Sequence, residues 1–286
     1  MLLEGIETLL VLSKAKTMSR AGSLLYISQS AVSKRIANLE KKMGKKLIVP
    51  AGRNIQLTQD AINLIESISP TFKELQGLIN EQQALPDSTP LRLDCSETLV
   101  AGYLHSILGD YIELDPHITL TTNHTPRIIE HVQSGKAHIG ICAGYLPKHP
   151  NLLQFHLIDE PFYVVSKQQI HHMPDTIITN DLSNPANTYQ IEILSKLNVE
   201  PVMQMDSYTA STQLAISGIA PALIPLSVIK AMKIEPEYCF HFEQLTPLYR
   251  PINICMRPSS YRNPRIKSLT EAIADVVPKV ASAPLA

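Results

Sequence analysis

The chain has 286 residues, more than one hydrophobic core usually organises, so two or three domains are expected. Hydrophobic residues make up 44% and charged residues 18%, a balance that excludes extended disorder. The net charge of -1 hides a split: residues 1–61 carry ten Lys/Arg against four Asp/Glu, a net of +6, and residues 62–286 a net of -7. A basic head on an acidic body points to nucleic-acid contact at one end.

Four cysteines (Cys95, Cys142, Cys239 and Cys255), none in a CxxC pair, make no disulfide framework. A reducing compartment fits them, so a cytoplasmic location is expected. Met1 to Leu12 is apolar but holds Glu4 and Glu7 and lacks a basic start, so it reads as an amphipathic helix rather than a signal peptide. No apolar run approaches the roughly 18 residues of a membrane span, and no membrane partner is expected.

In chain order, Ile6, Leu9, Leu10 and Ser13 share a face of a first helix. Thr17 or Ser19 can cap a second, Met18 to Leu25, broken at Tyr26-Ile27. Ser28 can cap a third, in which Val32, Ile36, Leu39 and Met43 form one buried stripe before a stop at Gly44. Leu47-Ile48-Val49 and Asn54 to Leu57 are strand-like runs around the turn Pro50-Ala51-Gly52-Arg53. The sum is a helix-turn-helix with a two-stranded wing. Thr58 can cap a long helix whose Ala61, Ile65, Ile68, Phe72, Leu75 and Ile79 alternate steps of four and three, with Pro70 a kink point. A narrow apolar seam on a long helix needs a partner, most simply a second copy. Residues 84–90 read as a linker.

From Leu91 strands and helices alternate. Strands are expected at Leu91–Cys95, Ile118–Thr122, Ala137–Cys142, Phe162–Ser166, Ile177-Ile178, Val202–Met205, Ala222–Ile224 and Arg250–Met256. Helices are expected at Thr98–Leu114, Pro126–Ser134, Tyr189–Leu197, Thr209–Ser217 and Pro264–Val277. Such alternation argues for parallel sheets with helices on their faces, in two small α/β lobes joined by crossing strands.

The third helix, with Val32, Ile36 and Leu39 buried, would show Gln29, Ser30, Ser33, Lys34 and Ala37 on its open face. Small residues let a helix sink into a major groove, Gln29 can pair with an adenine edge, and Ser33 can bond a base or a phosphate. Lys34, Arg35, Lys45, Lys46 and Arg53 suit phosphates, which give affinity and position rather than sequence choice. The partner expected is double-stranded operator DNA.

Ser19-Arg20-Ala21, the run Ile27 to Ile36, Leu39-Glu40, Gly44-Lys45-Lys46-Leu47, Gly52-Arg53 and Leu57-Thr58 resemble the winged helix-turn-helix of LysR-type transcriptional regulators. The resemblance is specific over residues 1–80 and continues through Pro116, Gly135 to Ile139, and Gly218 to Pro225. It implies a multi-domain α+β chain: a DNA-binding head (residues 1–58), a dimerising linker helix and hinge (59–90), and a two-lobed, periplasmic-binding-protein-like effector domain (91–286). Lobe I would take about 91–161 and 246–286, and lobe II about 162–245. The resemblance also implies tetramers on interrupted palindromes. Several residues depart from the family pattern. Ser30 replaces Pro, and Gly22 replaces Ala in a way expected to loosen the second helix. Ile48-Val49-Pro50 replaces Phe-x-Arg, Ala61 replaces Gly, His138 replaces Asp, and Pro221 interrupts a glycine-rich approach.

In open α/β sheets ligands sit at strand carboxyl ends beside helix N-termini. Ser96 and Thr98 open the first helix of the body, and Thr125 precedes the second. All three match family positions that often contact effectors, and Asp206-Ser207-Tyr208-Thr209 is the counterpart in the second lobe. The candidate effector residues are therefore Ser96, Thr98, Thr125 and Ser207, where free amides and hydroxyls suit a small anion; plain helix capping is the bland alternative. His138 with Cys142, or His171-His172, supply too few ligands for a metal site, so no metal or cofactor is expected. No Walker loop, GxGxxG, HExxH or GxSxG motif is present, which argues against an enzyme. Two other readings stay open: a thiol-based redox regulator, and a small-molecule-binding enzyme with an accessory DNA-binding head.

Overall fold

The computed structural model describes residues 2–51, 54–82, 90–146, 149 and 151–285. The chain divides into two compact units, residues 1–75 and 76–286.

In the first unit, helix α1 (Leu2–Ala15) buries Gly5, Thr8, Leu9, Leu12 and Ala15. Its inner face is thus turned from the one expected, and Ile6, Leu10 and Ser13 are half-buried. The reason is close packing on the small residue: a Cβ at Gly5 would sit 3.2 Å from Leu39 Cβ. Helix α2 (Met18–Leu25) is capped by Thr17, whose Oγ1 accepts from the Arg20 amide at 3.2 Å; Ser19 lies inside the helix. It ends on Tyr26 in the left-handed region, φ 55°. Helix α3 (Gln29–Met43) starts on Ser28, whose Oγ accepts from the Ala31 amide, and stops at left-handed Gly44. Val32, Ile36 and Leu39 are buried as expected, but Met43 is exposed and Glu40 takes the last inward place.

Strands β1 (Ile48–Ala51) and β2 (Asn54–Leu57) pair antiparallel, Ile48 opposite Leu57. Gly52 and Arg53 at their turn lie outside the described residues. Glu40 ties the wing to α3: its Oε1 accepts from the Leu47 and Ile48 amides, and its Oε2 from Lys46 Nζ. Gly22, far from loosening α2, is where the helix-turn-helix closes, since a Cβ there would meet Ile27 O at 2.7 Å. Helix α4 (Gln59–Gln82) is capped by Thr58 and runs on through Pro70. Of its expected seam, Ala61 is buried, Ile65, Ile68 and Phe72 are half-buried, and Leu75 and Ile79 are exposed, as is neighbouring Leu78. The expected linker falls almost wholly outside the described residues.

The second unit starts with β3 (Leu91–Cys95) and a helix in three parts: α5 (Glu97–Leu99), a π turn (Val100–Leu104) and α6 (His105–Leu114). There follow β4 (Ile118–Thr122), α7 (Thr125–Gln133), β5 (Ile139–Ala143), β6 (Leu153–Val165), β7 (Thr176–Asn180) and α8 (Tyr189–Lys196). The chain continues with β8 (Glu200–Met205), α9 (Tyr208–Ile216), β9 (Ala222–Pro225), α10 (Leu226–Met232), β10 (Cys239–Phe240), β11 (Tyr249–Met256) and α11 (Pro264–Ser282). The sheet order is β4-β3-β5-β11-β6-β9-β7-β8, with β10 on β6. Pairing is parallel among β4, β3 and β5 and among β9, β7 and β8, but β11 and β6 run antiparallel to their neighbours.

The expected parallel sheets therefore exist, one per lobe, and two antiparallel strands join them. Strand β6 does most of this: Leu153 to Pro161 pairs with β11, and Phe162 to Val165 pairs with β9. Its first nine residues were not expected as strand, nor was α10. Each lobe closes its own core, one around Leu93, Tyr103, Ile139, Ile254 and Leu269, the other around Phe162, Ile178, Leu223, Val228 and Leu248.

Candidate functional site

On the head, Gln29, Ser30, Ser33, Lys34 and Ala37 are exposed along one side of α3. An open groove of about 740 Å³ gathers Gln29, Ser33 and Ala37, the start of α2 at Thr17 and Ser19, and Pro50 and Asn54 of the wing. A helix N-terminus beside this exposed side suits a phosphate, because its first amides lack intrahelical acceptors. Ser28 Oγ is 2.9 Å from Ser30 Oγ, so both hydroxyls are organised at the tip. The cations are less free than their sequence positions imply. Arg35 is half-buried with Nη2 3.5 Å from Glu4, Lys45 pairs with Asp60, and Lys46 pairs with Glu40. Burial alone would raise the Glu40 carboxyl, but hydrogen bonds from Lys46 and from the Leu47 and Ile48 amides hold it below its ordinary value. Arg53 lies outside the described residues.

In the second unit, Ser96, Thr98, Thr125 and Ser207 all line one cavity of about 170 Å³ between the two lobes. The starts of α5, α7 and α9 converge there. The capping alternative holds for some of the four and not others. Ser207 Oγ accepts from the Ala210 amide at 3.4 Å, which is a cap. Thr125 is buried and its hydroxyl bonds both O and N of Ala143, tying α7 to β5. Ser96 makes no cap bond; its hydroxyl lies 3.3 Å from Thr98 Oγ1. Thr98 Oγ1 in turn accepts from Arg250 Nη2 at 3.2 Å.

Arg250 escaped the sequence reading, and so did its partner Glu160. Arg250 comes from β11, is 3% exposed, and lines the cavity. Its Nε donates to Glu160 Oε2 at 2.6 Å and its Nη2 to Ser227 Oγ at 2.9 Å, and its guanidinium stacks 5.5 Å from the Tyr208 ring. Glu160 Oε1 accepts from Tyr103 Oη and from the Ser227 amide. One fully buried carboxylate thus gathers groups from both lobes. The sequence signal was a charged residue inside each of two apolar strand runs, next to Pro161 and Pro251.

Among the described residues no cysteine lines the cavity. Cys142 and Cys255 face each other in a closed apolar cluster, Sγ to Sγ 3.6 Å, and burial pushes the Cys142 thiol well above its ordinary value. Cys239 is half-buried and pushed up to about 11 by burial. Raised thiols are poor nucleophiles at neutral pH.

Comparison with known proteins decides the family. Residues 3–61 match the model of the bacterial regulatory helix-turn-helix protein, lysR family, and residues 86–278 match the LysR substrate binding domain. The chain belongs to the LysR family of transcriptional regulators. It is 64% identical over 286 residues to an uncharacterized HTH-type transcriptional regulator of Vibrio cholerae, covering 100% of both chains. Among solved structures it resembles a full-length OxyR variant of Pseudomonas aeruginosa, with TM-score 0.62 and 18% identity, covering 97% of this chain and 94% of that one. It also resembles full-length CbnR in complex with its target DNA, with TM-score 0.56 and 18% identity, covering 98% of this chain and 100% of that one. This LysR regulator therefore has a helix-turn-helix DNA-binding domain and an effector-binding domain. Among its described residues no helix is long and apolar enough to cross a membrane.

Proposed function

We propose that this LysR regulator reads an operator with the exposed side of α3 and that a small polar effector carrying a carboxylate, held between its lobes, changes that binding. Gln29, Ser30 and Ser33 read bases; Ser28, Lys34, Arg35 and Arg53 contact phosphates, Arg35 after exchanging its pairing with Glu4. The effector is held by Ser96 and Thr98, with Thr125 and Ser207 shaping the walls. The observation that carries the reading is that Ser96, Thr98, Thr125 and Ser207, separated by up to 111 positions in the chain, line a single cavity with a buried arginine in its wall. Binding there favours one separation of the lobes, which shifts a pre-existing equilibrium rather than creating a new state. The regulator works in the cytoplasm as a dimer through α4, paired into a tetramer, and catalyses no reaction. The exposed Leu75, Leu78 and Ile79 support the dimer.

The test uses a duplex selected from a random pool by the full chain. Gln29→Ala weakens that duplex by about 1–3 kcal/mol and leaves random DNA nearly unchanged. Lys34→Ala weakens both and flattens the salt dependence. Equal losses on both duplexes for Gln29→Ala remove it from the reading set.

A further inference from the structure

Most residues that line the cavity between the lobes are polar. Among the described residues only Ala143 and Ala186 of its lining are apolar, and its rings come from Tyr208 and His124. A ligand with a large apolar body would leave those polar groups without partners, which is unfavourable. The space, about 170 Å³, corresponds to about six waters at about 30 Å³ each. The occupant is therefore small and polar.

The charges lining the cavity restrict it further. Among the described residues Arg250 is the single Lys or Arg in the wall, and Glu160 already balances it. Its hydrogen bonds leave from Nε and Nη2. Among the described residues Nη1 makes no hydrogen bond. Ser96 lies on the same side, its hydroxyl not used as a cap. These groups suit one carboxylate. Glu97 and Asp206 also line the cavity, one from each lobe, and both are exposed; beside Arg250 and Tyr208, His124 is the remaining ionisable residue in its described lining. Neither carboxylate has an ion-pair partner among the described residues. Two unbalanced carboxylates beside an already neutralised arginine disfavour a purely anionic ligand and call for a positive group.

We propose that the effector is a small polar α-amino acid, its carboxylate toward Arg250 and Ser96 and its ammonium toward Asp206 and Glu97. This rests on the reading of the cavity as the effector site. A zwitterion satisfies both sets at once. The corresponding 2-hydroxy acid keeps the carboxylate and loses the positive charge, leaving Asp206 unpaired against a neutral hydroxyl.

The experiment measures thermal shift and calorimetric binding on the full chain with matched pairs: L-serine and glycerate, L-alanine and L-lactate, L-aspartate and L-malate, followed by the remaining proteinogenic amino acids. The expected result is that at least one amino acid raises the melting temperature and binds tighter than its hydroxy partner by about tenfold or more. Asp206→Asn removes that preference while the carboxylate contacts keep residual binding. Hydroxy acids that bind as well as amino acids, or no shift from any amino acid, overturn the proposal. The underlying reading fails differently: amino-acid binding that is unchanged by Ser96→Ala and by Arg250→Lys lies outside the cavity. Ser96→Ala removes no cap and is the variant expected to fold normally.

Discussion

Arg250 Nε lies 2.6 Å from Glu160 Oε2, and the two side chains are 4% and 0% exposed. The pair joins adjacent strands, β11 and β6, at the place where β6 passes from one lobe to the other. A charge this deep is tolerated because every oxygen of Glu160 is engaged, by Arg250, Tyr103 and the Ser227 amide.

Glu160→Gln keeps an oxygen for Tyr103 and the Ser227 amide but leaves Arg250 without its counter-charge. Loss of about 3–5 kcal/mol in urea unfolding of the full chain is expected. Replacing both, as Glu160→Gln with Arg250→Met, should lose less than the two single losses added together. A Glu160→Gln variant as stable as the parent would show that the pair is not what sustains the crossing.

His138 gives a pH dependence of known sign. Its Nδ1 accepts from the Arg92 amide at 3.0 Å, and burial, with Arg92, Arg257 and Arg265 nearby, pushes its pKa down from 6.5 to about 4. The folded state therefore binds fewer protons than the unfolded chain between those values. Stability is fully present above about 6.5 and falls as pH drops toward about 4. His138→Asn, which keeps an acceptor for the amide, should flatten that slope in unfolding experiments between pH 7 and pH 4. An unchanged slope would assign the acid sensitivity elsewhere, with Glu40 the next candidate below about 4.5.

Tyr26 is 96% exposed and holds φ 55° at the end of α2. A bulky residue there is strained by about 1 kcal/mol and gains no packing in return. Tyr26→Asn should raise the stability of the head by up to about 1 kcal/mol, read from urea unfolding followed by a probe in the head. A loss of stability would mean that the ring protects the turn in a way its exposure does not reveal.

The seam on α4 predicts oligomeric state. Leu75→Glu together with Ile79→Glu places two charges on a surface that is apolar and exposed in the single chain. Sedimentation of the full chain should then show the tetramer replaced by smaller species, because neither carboxylate has a partner across the seam. An unaltered assembly would place the contact on another face.

Local chemistry made much of the head readable. Thr17, Ser28 and Gly44 mark helix ends by capping, which depends only on near neighbours. The wing followed from two short apolar runs around a turn. The face of α1 was misread because apolarity does not register close approach: Gly5 is buried for its lack of a side chain. In the body, β3 and β4 were read to the residue, since each is a short run bounded by turns. The first half of β6 was hidden because its alternation, Leu153 to Leu157, breaks at Ile158, and Asp159-Glu160-Pro161 then separates it from the apolar run Phe162–Val165. The cavity was half legible. Ser96, Thr98, Thr125 and Ser207 stand at helix starts, where pattern finds them. Arg250 and Glu160 are 90 positions apart, and no local pattern pairs residues across that distance.

The π turn has a mechanical consequence. Gly102, in its middle, faces Ser227 backbone to backbone, so closely that a Cβ would lie 2.3 Å from Ser227 O. The turn belongs to the helix of one lobe, and Ser227 opens α10 beside the core of the other. Two backbones in contact cannot be compressed as interleaved side chains can, so this point acts as a fulcrum. A single methyl there is a shim. Gly102→Ala would prop the lobes apart from behind without altering any residue that lines the cavity.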